Sequence, residues 1–178
     1  MTMPTDVDRQ QLQQLAIEYA NAIDARDWDR LDQIFIPDAH IDYTAVGGIA
    51  GSYAEVKAWL PRSLRFFKSY MHFVGNFQYQ MVDDGDGDGD GDGDGNVDGD
   101  HARGQVACTN PMVLPGLIPG LPRTVVFGLW YDDEYLRTAD GWRITRRSER
   151  KCYALNEPLW MKFGTWIYQR WSQRTPRS

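Results

Sequence analysis

The sequence predicts an α+β fold in which helices cover one face of a curved antiparallel β-sheet. Three observations predict it. Apolar residues recur at helical spacing from Leu12 to Leu64. Beyond Tyr70, long stretches alternate apolar and polar residues with a period of two. Asp140-Gly141 stands between two of these stretches as a hairpin turn. Helices followed by a run of strands pack in layers, and 178 residues suit a single domain spanning 1–178.

The first helix runs from Val7 to Ala25, with Leu12, Leu15, Ala16, Tyr19 and Ile23 on its apolar side. Asp24 falls in the last turn, where a carboxylate opposes the helix dipole, a local conflict that marks it for another purpose. Asp27 caps a second helix that buries Trp28, Leu31 and Phe35 and stops at Pro37-Asp38. Ala39 to Tyr43 alternates as a strand, with Ile41 and Tyr43 on one face and His40 and Asp42 on the other. After a turn at Gly47-Gly48, Ser52 and Glu55 form a capping box for a third helix. That helix buries Val56, Leu60 and Leu64, and Pro61 should kink or divide it.

Tyr70 to Val82 reads as a strand, with Phe73, Phe77, Tyr79 and Met81 facing away from His72, Val74, Asn76 and Gln78. A bulge at Gly75 would change that phase. His101–Leu114, Arg123–Thr138 and Trp142–Leu155 are the remaining strands. In the last of them Trp142, Ile144, Arg146, Ser148, Arg150 and Cys152 share a face. The apolar loop Pro115–Pro122 suits a cover for a pocket or a partner surface. A final helix at 157–171 carries Leu159, Trp160, Phe163, Trp166, Ile167 and Trp171 in one stripe, expected against the sheet or a second subunit.

Composition narrows the classes of function. The chain is 42 % hydrophobic and 13 % aromatic, as a packed core or an apolar ligand cavity requires. Its net charge of −6 arises in residues 83–100, which hold nine Asp and no basic residue and leave the remainder at +3. A near-neutral body gives no reason to expect nucleic acid as a partner. The Asp-Gly repeats can bury nothing and read as an expanded, flexible hairpin loop. A calcium loop starting at Asp84 fails at its twelfth position, which is Gly95 rather than Glu. No apolar run is long enough to cross a bilayer, and no signal-peptide core is present, so a cytoplasmic protein is expected. Cys108 and Cys152 lack metal-ligand spacing and are expected as reduced thiols; no metal site is expected.

A helix-packed curved sheet leaves a cone open at one end, and the inward residues near that opening decide function. The candidates are Tyr19, Asp24, Tyr43, His72, Asn76, Asn110, Trp130, Asp132 and Arg150. A histidine with a carboxylate partner can abstract a proton at neutral pH. A tyrosine hydroxyl can donate to an oxygen on which charge develops. Together they suit proton abstraction beside a carbonyl, followed by loss of water or by proton return. Plainer roles stand beside these. Tyr19 and Tyr43 serve equally as core aromatics, and Asp24 as a partner for Arg26 or a backbone amide. The basic run Arg146, Arg147, Arg150 and Lys151 is in part a solvated face, and one member turned inward could hold a substrate carboxylate.

The pattern Y-x4-D-x2-D-W-x2-L-x3-F-x2-D from Tyr19, then Ile-Asp-Tyr, His-Phe-Val-Gly and Asp-Gly-Trp-Arg-Ile, resembles the SnoaL-like branch of the nuclear transport factor 2 superfamily. The resemblance covers roughly residues 8–155. Within the branch, these motifs are similar to scytalone dehydratase, and the Tyr19, Asp24 and His72 set resembles that of bile acid 7α-dehydratase. The resemblance implies a cystatin-like α+β barrel: a cone of bent antiparallel sheet, three helices and an apolar cavity, self-associating as a dimer or trimer, without a cofactor. It implies His72 as general base, Asp24 as its partner and Tyr43 as a donor to the substrate carbonyl. The chain departs from scytalone dehydratase in having Ile23 before the acid, Asn110 or Pro111 near the place of a second histidine, and Asp132 near that of an asparagine. The expected activity is a cofactor-independent dehydratase-like lyase on a hydrophobic polycyclic, polyketide or steroid-like carbonyl compound. A ketosteroid-isomerase-like or cyclase-like enzyme, or a non-catalytic binding or dioxygenase small-subunit-like protein, shares the scaffold.

Overall fold

The computed structural model describes residues 3–82, 101–116 and 123–158. The Asp-Gly segment 83–100, the tip of the apolar loop and the expected helix beyond Pro158 lie outside the described residues. Helix α1 (Asp6–Ala25) starts at Thr5, whose hydroxyl accepts the Asp8 N–H, and buries Leu12, Leu15, Ala16, Tyr19 and Ile23. Asp8 is itself buried. Its Oδ1 accepts from Arg137 Nη2 at 2.6 Å and from Trp142 Nε1 at 3.2 Å, which ties the helix start to the far end of the sheet. The helix ends at Arg26 in the left-handed conformation, φ 56°.

The expected second helix is shorter than its sequence suggests. Asp27 accepts the Arg30 N–H at 3.3 Å, but only a 3-10 turn, Asp29–Gln33, follows. Phe35 is buried as the first residue of strand β1 (Phe35–Asp42), and Pro37-Asp38 lie inside that strand instead of ending a helix. The pairing of β1 slips in register between Phe35 and His40, around the proline that has no N–H to give to a ladder. After Gly47, φ 91°, β2 (Ala50–Ser52) leads into α2 (Tyr53–Leu64). The capping box is complete: Ser52 Oγ accepts the Glu55 N–H and Glu55 Oε2 accepts the Ser52 N–H at 2.8 Å. Ser52→Ala is expected to cost about 1 kcal/mol of stability in urea unfolding. Pro61 neither divides nor ends α2, which continues to Leu64. It stands in the last turn, where it removes one backbone bond close to a helix end.

The remaining strands are β3 (Ser69–Tyr70), β4 (Phe73–Val82), β5 (His101–Leu114), β6 (Arg123–Thr138) and β7 (Gly141–Leu155). The sheet order is β2-β1-β7-β6-β5-β3, with β4 also on β5. Its pairs are antiparallel except β1 with β7, which run parallel, so the sheet is mixed. It curls strongly as a half-barrel behind the two N-terminal helices, an α+β cone with the apolar core inside the curl. No helix among the described residues is long and apolar enough to cross a membrane.

Two irregularities set which side chains enter the cone. Between Gly75 and Gln78 the β4–β5 register slips, and Asn76 takes φ 48°. The bulge reverses the phase: Tyr79 and Met81 are buried while Phe73 is 71 % exposed. In β7, Ile144 pairs with Tyr135 but Arg146 pairs with Glu134, leaving Thr145 as an extra residue. Beyond it Arg147 is buried and Arg146 is exposed, so the expected single alternation from Trp142 to Cys152 does not hold.

Candidate functional site

Strand β3 and the start of β4, as far as Gly75, pair with β5 in one register that is interrupted at Met71 and His72. Opposite Met71 stands Pro111, which accepts the Met71 N–H at 3.2 Å but has none to return. His72 turns its backbone N–H out of the ladder and gives it to Asp24 Oδ2 at 2.8 Å. The other carboxylate oxygen of Asp24, Oδ1, lies 2.7 Å from His72 Nδ1. The last turn of α1 thus grips both the backbone and the ring of one residue. The conflict between Asp24 and the helix dipole is offset by these two bonds.

The far nitrogen of His72, Nε2, lies 2.9 Å from Asn110 Nδ2 on β5. An amide nitrogen is a donor, so Nε2 is the acceptor and Nδ1 carries the hydrogen that Asp24 receives. That tautomer puts the basic lone pair away from Asp24. The imidazole is nearly enclosed, 7 % exposed against 24 % for the Asp24 side chain. Rings of Tyr19 and Tyr70 meet it edge-on at 6.4 and 6.2 Å.

Tyr19 and Tyr43 meet at 2.7 Å between hydroxyl oxygens, both buried. Burial raises both phenols well above their usual range, so both keep their protons. One hydroxyl donates to the other, and the second proton is available to a ligand. Behind them lies Arg147, fully buried, with its guanidinium 4.1 Å from the centre of the Tyr19 ring and 4.2 Å from that of Tyr131. It donates to Asp133 through Nε at 2.8 Å and Nη2 at 2.6 Å. Burial works against its charge and Asp133 more than restores it. Arg147 is therefore the inward member of the basic run, and its partner is an internal carboxylate.

Tyr19, Tyr43, His72 and Asn110 line one cavity, walled further by Trp59, Leu60, Phe67, Phe127 and Leu129. Its volume is about 110 Å³, of the order of the ~150 Å³ apolar cavities that take up benzene. Gly48 is needed in its wall, since a Cβ there would stand 2.6 Å from Tyr43 Cβ and 3.2 Å from the Trp59 ring. Glu149 also borders it, a residue that the uniform alternation of β7 concealed. A signal for Arg147 existed in β6. There Leu129, Tyr131, Asp133 and Tyr135 share the inward phase, and a buried Asp133 demands a cation from the neighbouring strand.

The other sequence candidates lie elsewhere. Asn76 is exposed at the β4 bulge. Trp130 and Asp132 alternate with the inward residues of β6 and face the outer side of the sheet. Arg150 joins them there, 3.0 Å from Asp132 and 5.9 Å from the Trp130 ring centre. Asp132 borders an outer concavity of about 530 Å³, larger than the inner cavity but walled by polar residues such as Gln78, Gln80, Arg103 and Arg146. The bulges that reset the strand phase account for Asn76 and Arg150. Asp132, expected among the inward residues, falls on the outer phase of β6, between buried Tyr131 and Asp133.

Residues 7–148 match the SnoaL-like domain family. Uncharacterized proteins of Mycobacterium tuberculosis and Mycobacterium bovis are 45 % identical over 146 residues, covering 82 % of this chain and 86 % of theirs. Among solved structures, a candidate aromatic ring hydroxylase from Novosphingobium aromaticivorans superposes with a TM-score of 0.70 at 23 % identity, over 89 % of this chain and 99 % of that one. A candidate scytalone dehydratase from the same organism gives 0.65 at 14 %, over 85 % and 89 %. A hexachlorocyclohexane dehydrochlorinase from Novosphingobium barchaimii gives 0.62 at 18 %, over 85 % and 93 %. At these identities the structures share the fold, and the family match over most of the chain gives its membership: the protein belongs to the SnoaL-like domain family.

Proposed function

We propose that the protein is a cofactor-independent lyase of dehydratase type, acting on a hydrophobic carbonyl compound that carries a β-hydroxyl group. The observation that carries this reading is the Asp24–His72 pair at 2.7 Å, with its ring on the wall of an apolar cavity. His72 Nε2 takes the proton from the carbon alpha to the carbonyl. Asp24 fixes the tautomer and stabilises the imidazolium. The Tyr19–Tyr43 pair donates to the carbonyl oxygen as enolate charge develops. Asn110 donates to Nε2 in the resting site; substrate entry must displace that amide to free the lone pair, and Oδ1, which has no partner at rest among the described residues, is then available as an acceptor once Nε2 is protonated. A cavity of this size holds the reacting ring, and the rest of a polyketide or steroid-like skeleton extends beyond it.

The isomerase or cyclase reading calls for a carboxylate base. Among the described lining residues Glu149 is the only carboxyl group, and its burial favours the neutral acid over a base. Screening cyclic, polyketide and steroid β-hydroxyketones for water loss, followed as absorbance of the conjugated enone, tests the proposal. At least one compound should lose water faster with the wild type than with His72→Ala. Equal rates across the whole panel would defeat the lyase reading.

A further inference from the structure

The dyad leaves one ionisable group of the cavity without a role. Glu149 on β7 pairs directly across from Tyr131 on β6 and borders the cavity with His72, Tyr19 and Tyr43. Its Oε2 is sealed from solvent and has no hydrogen-bond partner among the described residues. Negative charge on that oxygen would lose its hydration with no bond in exchange. The cation that acts most on it, Arg147, is engaged by Asp133 through two nitrogens, and Arg150, next in sequence, donates to Asp132 on the outer side of the sheet. The other titratable groups around Glu149 are Tyr19 from α1, Asp42 and Tyr43 at the end of β1, Cys108 from β5, and Tyr131 and Asp133 from β6. All are acids. Burial pushes the Glu149 carboxyl up to about 8; Arg147 offsets part of this, and Asp42 and Asp133 add to it.

Resting on the lyase reading above, we propose that Glu149 works opposite His72 as the general acid of the site, passing its carboxyl proton to the substrate oxygen that departs. Deprotonation and departure then balance without a further reagent. His72 Nε2 takes the proton from carbon, and the C–H electron pair becomes the C=C bond. The C–O bond breaks onto oxygen, and the Glu149 proton completes the water that leaves. The site is left with an imidazolium and a carboxylate, and one proton moved from His72 to Glu149 through water restores both. Two groups of opposite resting state in one cavity supply what an elimination needs, a lone pair at one end and a proton at the other.

Three measurements on the full chain test this. The chain has five glutamates, so carbon-13 labelling of their carboxyl groups gives a resolvable titration by NMR. One resonance should titrate near 8 and be missing from Glu149→Gln; five ordinary midpoints would overturn the proposal. Stability gives the second readout. A carboxyl raised on folding contributes stability that is fully present below its unfolded value of about 4.3 and is lost as pH rises through its folded value. The wild-type Tm should therefore fall relative to that of Glu149→Gln between about pH 5 and 8, and parallel curves would count against the proposal. The third readout is turnover of 3-hydroxycyclohexanone and the rest of the hydroxyketone panel. Glu149→Gln keeps a donor but cannot give up a proton, so kcat should fall about 10²-fold or more with KM within a few-fold. An active wild type matched by an equally active Glu149→Gln would remove the general acid and leave the lyase reading standing. A wild type inactive on every compound would remove both.

Discussion

His72→Ala is expected to lower turnover of any true substrate by about 10²–10⁴-fold, the range for loss of a positioned acid–base group. Asp24→Asn should do nearly as much. Asp24 accepts two hydrogens from His72, one from the backbone N–H and one from Nδ1. An asparagine can accept only through its one carbonyl oxygen. If its amide nitrogen faces Nδ1, the ring must accept there and carry its hydrogen on Nε2, which leaves no base toward the substrate. The double variant should be no worse than His72→Ala, because Asp24 acts through His72. Substrate binding should change far less in all three, since the apolar wall supplies most of the affinity. Tyr43→Phe should cost less than either, because Tyr19 still reaches the same oxygen. Steady-state kinetics of the two single variants and the double variant decide the matter. Multiplicative losses would make Asp24 an independent catalyst and move the chemistry toward a carboxylate base. Full activity in the double variant would place the chemistry elsewhere.

Much of this site was legible because its parts are local. The apolar stripe of α1 sets Tyr19 and Ile23 on one face, and Asp24 stood out as an acid where the helix dipole disfavours one. The capping box, the Gly47 turn and the hairpin before Gly141 are each specified within a few residues, and each is present. What was not legible depends on non-local pairing. That β1 runs parallel beside β7 follows from the curl of the whole sheet, and no residue in Phe35–Asp42 announces it. The extra residue at Thr145 is of the same kind. One inserted residue exchanges the faces of the side chains after it as far as Lys151, where a second slip leaves Cys152 unpaired, and each insertion is defined only against the partner strand β6. Read without it, β7 sends Arg147 and Glu149 to the wrong side. With it, these two enter the cone and Arg150 leaves. The warning was the inconsistency of the unbroken phase, which grouped Trp142 and Ile144, both buried, with exposed Arg146 and Arg150.

Arg147→Met is expected to destabilise the fold by about 3–5 kcal/mol, the usual cost of stranding one member of a buried ion pair. The pair is sealed from solvent, with both side chains at 0 % exposure, and its partners face each other directly across β6 and β7. Removing the guanidinium leaves Asp133 charged in the core or forces it to take up a proton, and Tyr135, which donates to Asp133 at 2.9 Å, is the one remaining donor among its described contacts. Asp133→Leu should be similarly costly, because Arg147 would keep only its contacts with the rings of Tyr19, Tyr131 and Phe35. The double variant Arg147→Met, Asp133→Leu should recover most of the loss, since two apolar side chains of similar volume need no counter-charge. Urea unfolding of the four proteins at constant m measures this coupling directly. Additive losses would mean that the two side chains contribute independently. Kinetics of the recovered double variant would then isolate the work of the pair at the site. With Arg147 gone, Tyr19 loses the cation behind its ring, and Glu149 loses the charge that most favours its ionisation. Loss of Asp133 offsets part of this, and because Arg147 acts more strongly the Glu149 carboxyl should still titrate higher. A double variant as stable as the wild type but with its basic pH limit moved upward would assign the buried pair to tuning the cavity rather than to holding the sheet together.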